Sequence, residues 1–364
     1  MRAAVFHEVN QALTVEEITV DEPPGREVLV ETAASGVCHS DLHFVEGLYD
    51  LTTMMGPLPA ILGHEGAGVV AAVGPGVHDF APGDHVIACP SVFCGNCDFC
   101  LTGRTHLCQS PATRRSADAP PKYRLGNEPV TQFAGLSTYA EQMLVHENAL
   151  VKIRDDMPLD KAALIGCGVT TGVGVVLNTA KVSPGSSVVV FGAGGIGLSA
   201  IQGARIAGAR QIIAVDTVEE KLATAREFGA THDVDASTSD PVETIQGLTG
   251  EGVEYSFEAI GLKRTAEQSF EVLQRGGLAT VIGMVPQGQK LELDGSSFLS
   301  EKKIQGSSMG SNRFRVDMPN YVEFYMQGRL KLDEMITRTG GLEDLNEAFR
   351  AMKAGEVTRT VLTM

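Results

Sequence analysis

The stretch from Ser187 to Asp216 restricts the fold of this chain more than any other. It opens on a short apolar run, Val188 to Phe191, of the kind found in strands buried on both faces of a parallel sheet. The run enters Gly192, Gly194 and Gly197, spaced as G-x-G-x-x-G. In that pattern the glycines serve a tight turn, a close approach of backbone to a pyrophosphate, and close packing of helix on sheet. Ile196 to Ala207 then reads as a helix whose first amides face the phosphate. Gly195 and Ile196, at its start, belong to the same cofactor-binding turn. A second apolar strand, Ile212 to Val215, ends in Asp216, 24 residues beyond Gly192. An acid there suits a ribose 2′-hydroxyl and repels a 2′-phosphate, which points to NAD rather than NADP. A ligand-free glycine turn is the competing reading of the motif by itself. The flanking strand, helix, second strand and acid all favour a dinucleotide.

The chain has 364 residues, enough for two or three domains with ample core. Its formal net charge of −16 would repel nucleic acid and anionic membranes, so neither is expected as a partner. Met1 to Asn10 has no signal-peptide pattern and no continuous apolar run approaches 18 residues, so a cytoplasmic protein is expected. Seven cysteines, an odd number with four of them clustered, favour metal ligation over disulfides in that setting.

Residues 1 to about 90 read as short strands: Ala3 to Phe6, Leu13 to Val20, Val28 to Thr32, Gly66 to Val73 and His85 to Ala88. Turn clusters such as Gly74-Pro75-Gly76 and Pro82-Gly83-Asp84 separate them. This predicts a β-rich, partly closed barrel-like sheet. Residues 110 to 131 are polar and proline-bearing, as in a surface loop, and Tyr139 to Ile153 returns to strand-like sequence. From about Gly168 to Val285 strand and helix patterns alternate, which predicts a doubly wound parallel α/β sheet. Helices near Met318 to Met326 and Leu342 to Lys353, and a strand near Thr360 to Thr363, close the chain.

Two sets of residues suit metals. Cys94, Cys97 and Cys100 follow one another at C-x-x-C spacing, and Cys108 completes four thiolates on a turn-rich segment. Four ligands close a tetrahedral zinc shell, so a structural site is expected, holding a lobe (about 89–110) too small for its own core. An iron–sulfur cluster, a nucleic-acid-gripping ribbon and unpaired thiols compete with it. Gln109 follows Cys108 where the ferredoxin pattern has proline. The second set is dispersed: Cys38, His64 and Cys167 each lie in a short stretch that contains glycine. Two thiolates and an imidazole form the three-ligand set of a catalytic zinc with an open position. By composition, buried structural cysteines are the commoner explanation.

These blocks resemble the zinc-dependent alcohol dehydrogenases of the medium-chain dehydrogenase/reductase superfamily. The likeness runs through residues 36–41, 63–68, 94–108, 166–172, 192–197 and 359–363, nearly the whole chain and in the family's order. It implies a catalytic domain with a GroES-like barrel from residues 1–168 and 308–364, and a Rossmann-type NAD domain, 169–307, inserted between them. It implies two zinc ions per chain, one held by Cys38, His64 and Cys167 and one by the four clustered cysteines. It further implies that Glu65 lies behind the catalytic metal and that Asp41 orients His64. Ser40 would take the alcohol's proton and His43 would pass it to solvent. Asp216 with Lys221 would serve the adenosine ribose, Thr171 the nicotinamide, and Arg359 the pyrophosphate. His39 stands where many members have an arginine facing that pyrophosphate. Members form homodimers or homotetramers, and either is expected.

The implied activity is NAD-dependent oxidation of primary or aromatic alcohols, and the reverse. The alternative within the family is dehydrogenation of a formaldehyde–thiol adduct, which asks for basic residues at the pocket mouth. Arg114, Arg115, Lys122 and Arg124 are available for that, or simply line a solvated loop. Leu48 to Met55 looks longer than in familiar animal enzymes, and Tyr139 and Pro90 are expected near the pocket where phenylalanines are common. A non-catalytic protein on the same fold would be expected to lack ligands or relay residues; all are present.

Overall fold

The computed structural model describes residues 1–54, 56–116 and 118–364. Met55, the last residue of the 48–55 segment, and Ala117, within the 110–131 loop, lie outside the described residues. The chain divides into two compact units, Met1–Cys167 with Arg313–Met364, and Gly168–Asn312.

The first unit is built on the ten-residue strand Glu27–Gly36. It pairs antiparallel with Gly66–Val73, placing Val28 opposite Val73 and Ser35 opposite Gly66. It also pairs with Gln142–His146 and with the last strand, Arg359–Thr363. That last pairing puts the two ends of the sequence in one unit. Val28, Val30, Val70, Val86, Met143 and Val145 fill the interior beneath these strands. Each such side chain contributes about 1.5–3 kcal/mol by leaving water. A six-stranded sheet runs in the order Thr14–Glu17, Arg2–Phe6, Ala60–Ile61, Glu128–Gln132, Tyr123–Leu125, Thr19–Val20. The result is the nearly closed barrel-like sheet that the turn-punctuated strands predict.

The 110–131 segment departs from its expected form. It contains a hairpin, Tyr123–Leu125 with Glu128–Gln132, whose Tyr123 and Val130 side chains are buried. Pro120, Pro121 and Pro129 mask the alternation, and Pro129 is tolerated because it falls near a strand end.

The second unit carries a six-stranded, fully parallel sheet in the order His232–Asp235, Gln211–Asp216, Ser187–Phe191, Val253–Glu258, Leu273–Val281, Lys303–Gly306. All five residues of the central strand Ser187–Phe191 are buried, as a continuous apolar run requires. Helix Pro241–Thr249 begins where the Asp240 carboxylate accepts from the amides of Val242 (2.9 Å) and Glu243 (3.1 Å), with proline in the first turn. Strand order and chain order match a doubly wound Rossmann sheet. The edge strand His232–Asp235 escapes a hydrophobicity reading because only Val234 in it is buried.

The helical run Leu159–Thr179 also departs from expectation. By length and composition it is apolar enough to cross a membrane, with mean hydropathy 1.5, yet 83% of its apolar window is buried within the protein, as in a core helix. Gly166, Gly168, Thr170 and Thr171 break the apolar letters without lowering the average much.

Candidate active site

Four donor residues converge in the first unit. Cys38 lies where strand Glu27–Gly36 gives way to helix His39–Val45. His64 and Glu65 lie between Ala60–Ile61 and Gly66–Val73. Cys167 lies in a π-helical turn, Ile165–Val169, a distortion that is frequent at functional positions. One donor atom from each of Cys38, His64, Glu65 and Cys167 falls within 4.8 Å of the others, and all four residues are buried. Two soft sulfurs, one imidazole and one carboxylate fit zinc and not a hard cation. A hydrogen bond from the Cys167 thiol holds Cys38 well below the usual cysteine range despite burial.

The donors are braced from behind. The Asp41 carboxylate is fully buried. Its Oδ1 accepts from the Gly63 amide and lies 3.1 Å from His64 Nδ1. Its Oδ2 accepts the Tyr139 hydroxyl at 2.8 Å. A carboxylate can only accept, so Nδ1 of His64 carries the hydrogen and Nε2 keeps its lone pair for a metal. Arg359, expected at a pyrophosphate, is buried and donates to Glu65. Burial pushes the Glu65 carboxyl up to about 8, with the Arg359 charge opposing.

Helix His39–Val45 places Ser40 and His43 three residues apart on one face. Both are half-buried, and His39 is exposed. His43 lies between two rings, with centroids 5.7 Å from His39 and 6.0 Å from Tyr49, the latter stacked. Burial holds His43 below its ordinary value. Phe133 lies 5.8 Å from the His64 ring and 5.2 Å from Phe44, giving the site an apolar wall that no sequence motif marks. Tyr139, expected near the pocket, is wholly buried and turns its hydroxyl to Asp41. Its one sequence signal was chemical: a phenol in place of a phenyl ring needs a partner when buried.

The clustered cysteines form the second group. Their four sulfurs also lie within 4.8 Å of one another. Sulfur–sulfur distances of 3.9, 3.5 and 3.8 Å exclude disulfide bonds. A tetrahedron with zinc–sulfur bonds near 2.3 Å has edges of about 3.8 Å, so the arrangement fits one zinc ion. Amides of Asn96 and Cys97 donate to Cys94 Sγ at 3.4 and 3.3 Å and draw its thiol down to about 6, whereas burial pushes that of Cys100 up to about 12. Cys89, also in the lobe, is excluded from the group; burial pushes its thiol up to about 12.

In the second unit, Gly192 takes φ of 95°, and a side chain at Gly197 would meet the Gly192 carbonyl oxygen at 1.8 Å. Helix Gly195–Ile206 therefore starts hard against the strand end, and Gly194 at its cap is exposed. Such a terminus fits a pyrophosphate. Asp216 ends its strand half-buried, accepting from the amides of Ala193 and Thr217, both at 2.8 Å. Lys221 follows on helix Glu219–Phe228, and Thr171 is buried with Oγ1 3.6 Å from Met309 Sδ.

Of the basic residues at 114–124, Arg115 is committed. It bonds Glu27 through Nη2 at 2.7 Å and Asp21 through Nη1 at 2.7 Å. Lys122 lies 3.5 Å from the same Glu27 and donates to Gln132 at 2.9 Å.

Comparison with known proteins agrees with this geometry. The alcohol dehydrogenase GroES-like domain family matches residues 24–155, and the zinc-binding dehydrogenase family matches residues 195–326. The chain is 39% identical, over 99% of both chains, to S-(hydroxymethyl)glutathione dehydrogenase of Paracoccus denitrificans. Among solved structures it resembles an alcohol dehydrogenase zinc-binding domain protein of Burkholderia ambifaria (37% identity, TM-score 0.95, covering 100% of this chain and 98% of that one). It also resembles benzyl alcohol dehydrogenase of Acinetobacter calcoaceticus (33%, TM-score 0.93, covering 100% and 99%). Likeness at this level across the whole chain makes the protein a member of the zinc-dependent alcohol dehydrogenases of the medium-chain dehydrogenase/reductase superfamily, oxidoreductases that use zinc and NAD.

Proposed function

We propose that the chain oxidises the hydroxymethyl adduct of formaldehyde with a small thiol, R–S–CH2OH + NAD+ giving R–S–CHO + NADH + H+. The 39% identity, over nearly the full length of both chains, to S-(hydroxymethyl)glutathione dehydrogenase carries this reading over simple primary or aromatic alcohols. Cys38, His64 and Cys167 would hold a zinc ion, which would supply a Lewis acid to lower the pKa of the substrate hydroxyl. Ser40 accepts the hydroxyl proton, and His43, on the same helix face, hands it to solvent. His43 is kept below its ordinary pKa by burial, so it is neutral and ready to accept near pH 7. Asp41 fixes the His64 ring, Glu65 stands behind the metal with Arg359, and Phe44 and Phe133 keep water from the reacting carbon. Gly192, Gly194, Gly195, Ile196 and Gly197 would receive the pyrophosphate, Thr171 would serve the nicotinamide, and Asp216 with Lys221 would hold the ribose. Cys94, Cys97, Cys100 and Cys108 hold a second, structural zinc.

Asp216→Ala is expected to raise the KM for NAD by about ten- to a hundredfold, the loss of a bond to a charged acceptor worth about 1.5–3 kcal/mol, and to admit NADP. Steady-state kinetics with both nucleotides check this; unchanged NAD kinetics would remove Asp216 from the ribose.

One observation favours the second reading, a primary or aromatic alcohol as substrate. Arg115 and Lys122 are engaged by Glu27 and Asp21, which leaves them poorly placed to grip the carboxylates of a peptide thiol. Arg115→Met is expected to lower stability by about 1–3 kcal/mol, the cost of leaving the largely buried Glu27 without its charged donor, and to leave the KM for the adduct roughly unchanged. Thermal unfolding and kinetics on one preparation separate the two effects. The deciding assay follows nicotinamide absorbance with formaldehyde, with formaldehyde plus glutathione, and with benzyl alcohol. Turnover of formaldehyde only with the thiol supports the adduct. Turnover of benzyl alcohol, with no response to the thiol, supports the second reading.

A further inference from the structure

Asp41 has no contact with solvent, and each of its oxygens is accounted for by a donor from a different part of the first unit. Gly63 and His64 approach Oδ1, each at 3.1 Å. Oδ2 has the Tyr139 hydroxyl at 2.8 Å. Tyr139 is itself held firmly. Its amide bonds the Leu62 carbonyl at 3.2 Å, and its carbonyl accepts from Ala4 at 2.9 Å. The preceding amide, Thr138, bonds the Gly63 carbonyl at 3.0 Å, and the Tyr139 ring packs edge-on against Phe349 at 6.2 Å. The phenol and the His64 turn are therefore stitched together by backbone as well as by Asp41.

We propose that Tyr139 is a positioning residue for the metal ligand His64, acting through Asp41. Without the phenol, Oδ2 is a buried carboxylate oxygen lacking its donor. The carboxylate then relieves that deficit by rotating about its own bond, and Oδ1 moves off the His64 Nδ1–H. The imidazole loses the contact that fixes its tautomer and aims Nε2. Phenylalanine at this position keeps the packing and deletes only this link. The inference rests on the reading that Cys38, His64 and Cys167 hold zinc.

Zinc release from the purified, zinc-loaded protein to a chromophoric chelator tests it. Wild type should contain two zinc ions and release them in two phases, and Cys38→Ser identifies the phase belonging to the dispersed site. Tyr139→Phe should speed that phase by about tenfold and leave the four-cysteine phase unchanged, at the lower end of the 10–100-fold seen for outer partners of metal ligands. Asp41→Asn should speed the same phase, and adding Tyr139→Phe to it should change little further. In the cobalt-substituted protein, Tyr139→Phe should shift the visible ligand-field bands. Equal release from Tyr139→Phe and wild type overturns the proposal. So does acceleration of both phases together, which marks general loosening, or full additivity with Asp41→Asn. A wild-type protein with a single zinc ion, released from the four-cysteine site, overturns the underlying metal reading instead. If Asp41→Asn does not fold, the ratio of the two phases in Tyr139→Phe decides.

Discussion

Cys167→Ser is expected to lower kcat by about 10⁴-fold and to bring bound zinc from two ions per chain to one. The magnitude follows from the chemistry at stake. A Lewis acid on the substrate oxygen is worth several kcal/mol of transition-state stabilisation, and each 1.36 kcal/mol is a factor of ten. Serine occupies similar space but offers a harder, poorly ionised donor, and zinc sites of this type depend on thiolate. The fold should survive. Cys167 joins the Cys38, His64 and Glu65 group, and serine is close to it in size. Nucleotide binding should survive too, because the glycine turn and Asp216 belong to the sheet of Gly168–Asn312. Metal analysis, steady-state oxidation and NAD titration by fluorescence are the three measurements. Near-normal turnover with one zinc would move the chemistry away from these residues.

What was legible in the sequence follows contact range. The glycine turn and its acid are local: strand, turn, helix and second strand occupy one continuous stretch, so their pattern survives without knowledge of the fold. The four clustered cysteines are local as well, all within residues 94–108. Cys38, His64 and Cys167 are not. They approach because Glu27–Gly36 pairs with Gly66–Val73, and no spacing rule encodes that pairing; the family likeness supplied what periodicity lacked. The bond between Arg359 and Glu65 spans 294 residues and was invisible for the same reason. Tyr139 carried a hint in its hydroxyl, but not the identity of its partner. The hairpin at Tyr123–Gln132 was hidden by prolines that read as loop, and the His232–Asp235 strand by polar residues that an edge position permits.

Cys100→Ser should have the largest effect on stability, and the reason lies in what the lobe lacks. Helix Asp98–Leu101 and the turn Thr105–Leu107 bury no residue. Leu101 is 72% exposed and Phe99 38% exposed, so the two large apolar side chains of the helix face water. Hydrophobic burial therefore cannot hold it, and the metal must. Structural zinc in comparably small units is worth about 10–16 kcal/mol of apparent binding energy, enough to decide whether the unit folds. Removing one of four thiolates should release the ion and unfold residues 94–108 locally. Proteolysis should then cut first within the lobe, and the thermal midpoint should fall by many degrees. The parallel sheet of Gly168–Asn312, with a core of its own around Val189, Phe191, Ile213 and Phe270, should keep its NAD affinity. Limited proteolysis with mapped cleavage sites, beside zinc content, is the direct check. A Cys100→Ser protein that keeps both its protease resistance and its melting point would mean that the sulfurs cluster without a metal that matters to the fold.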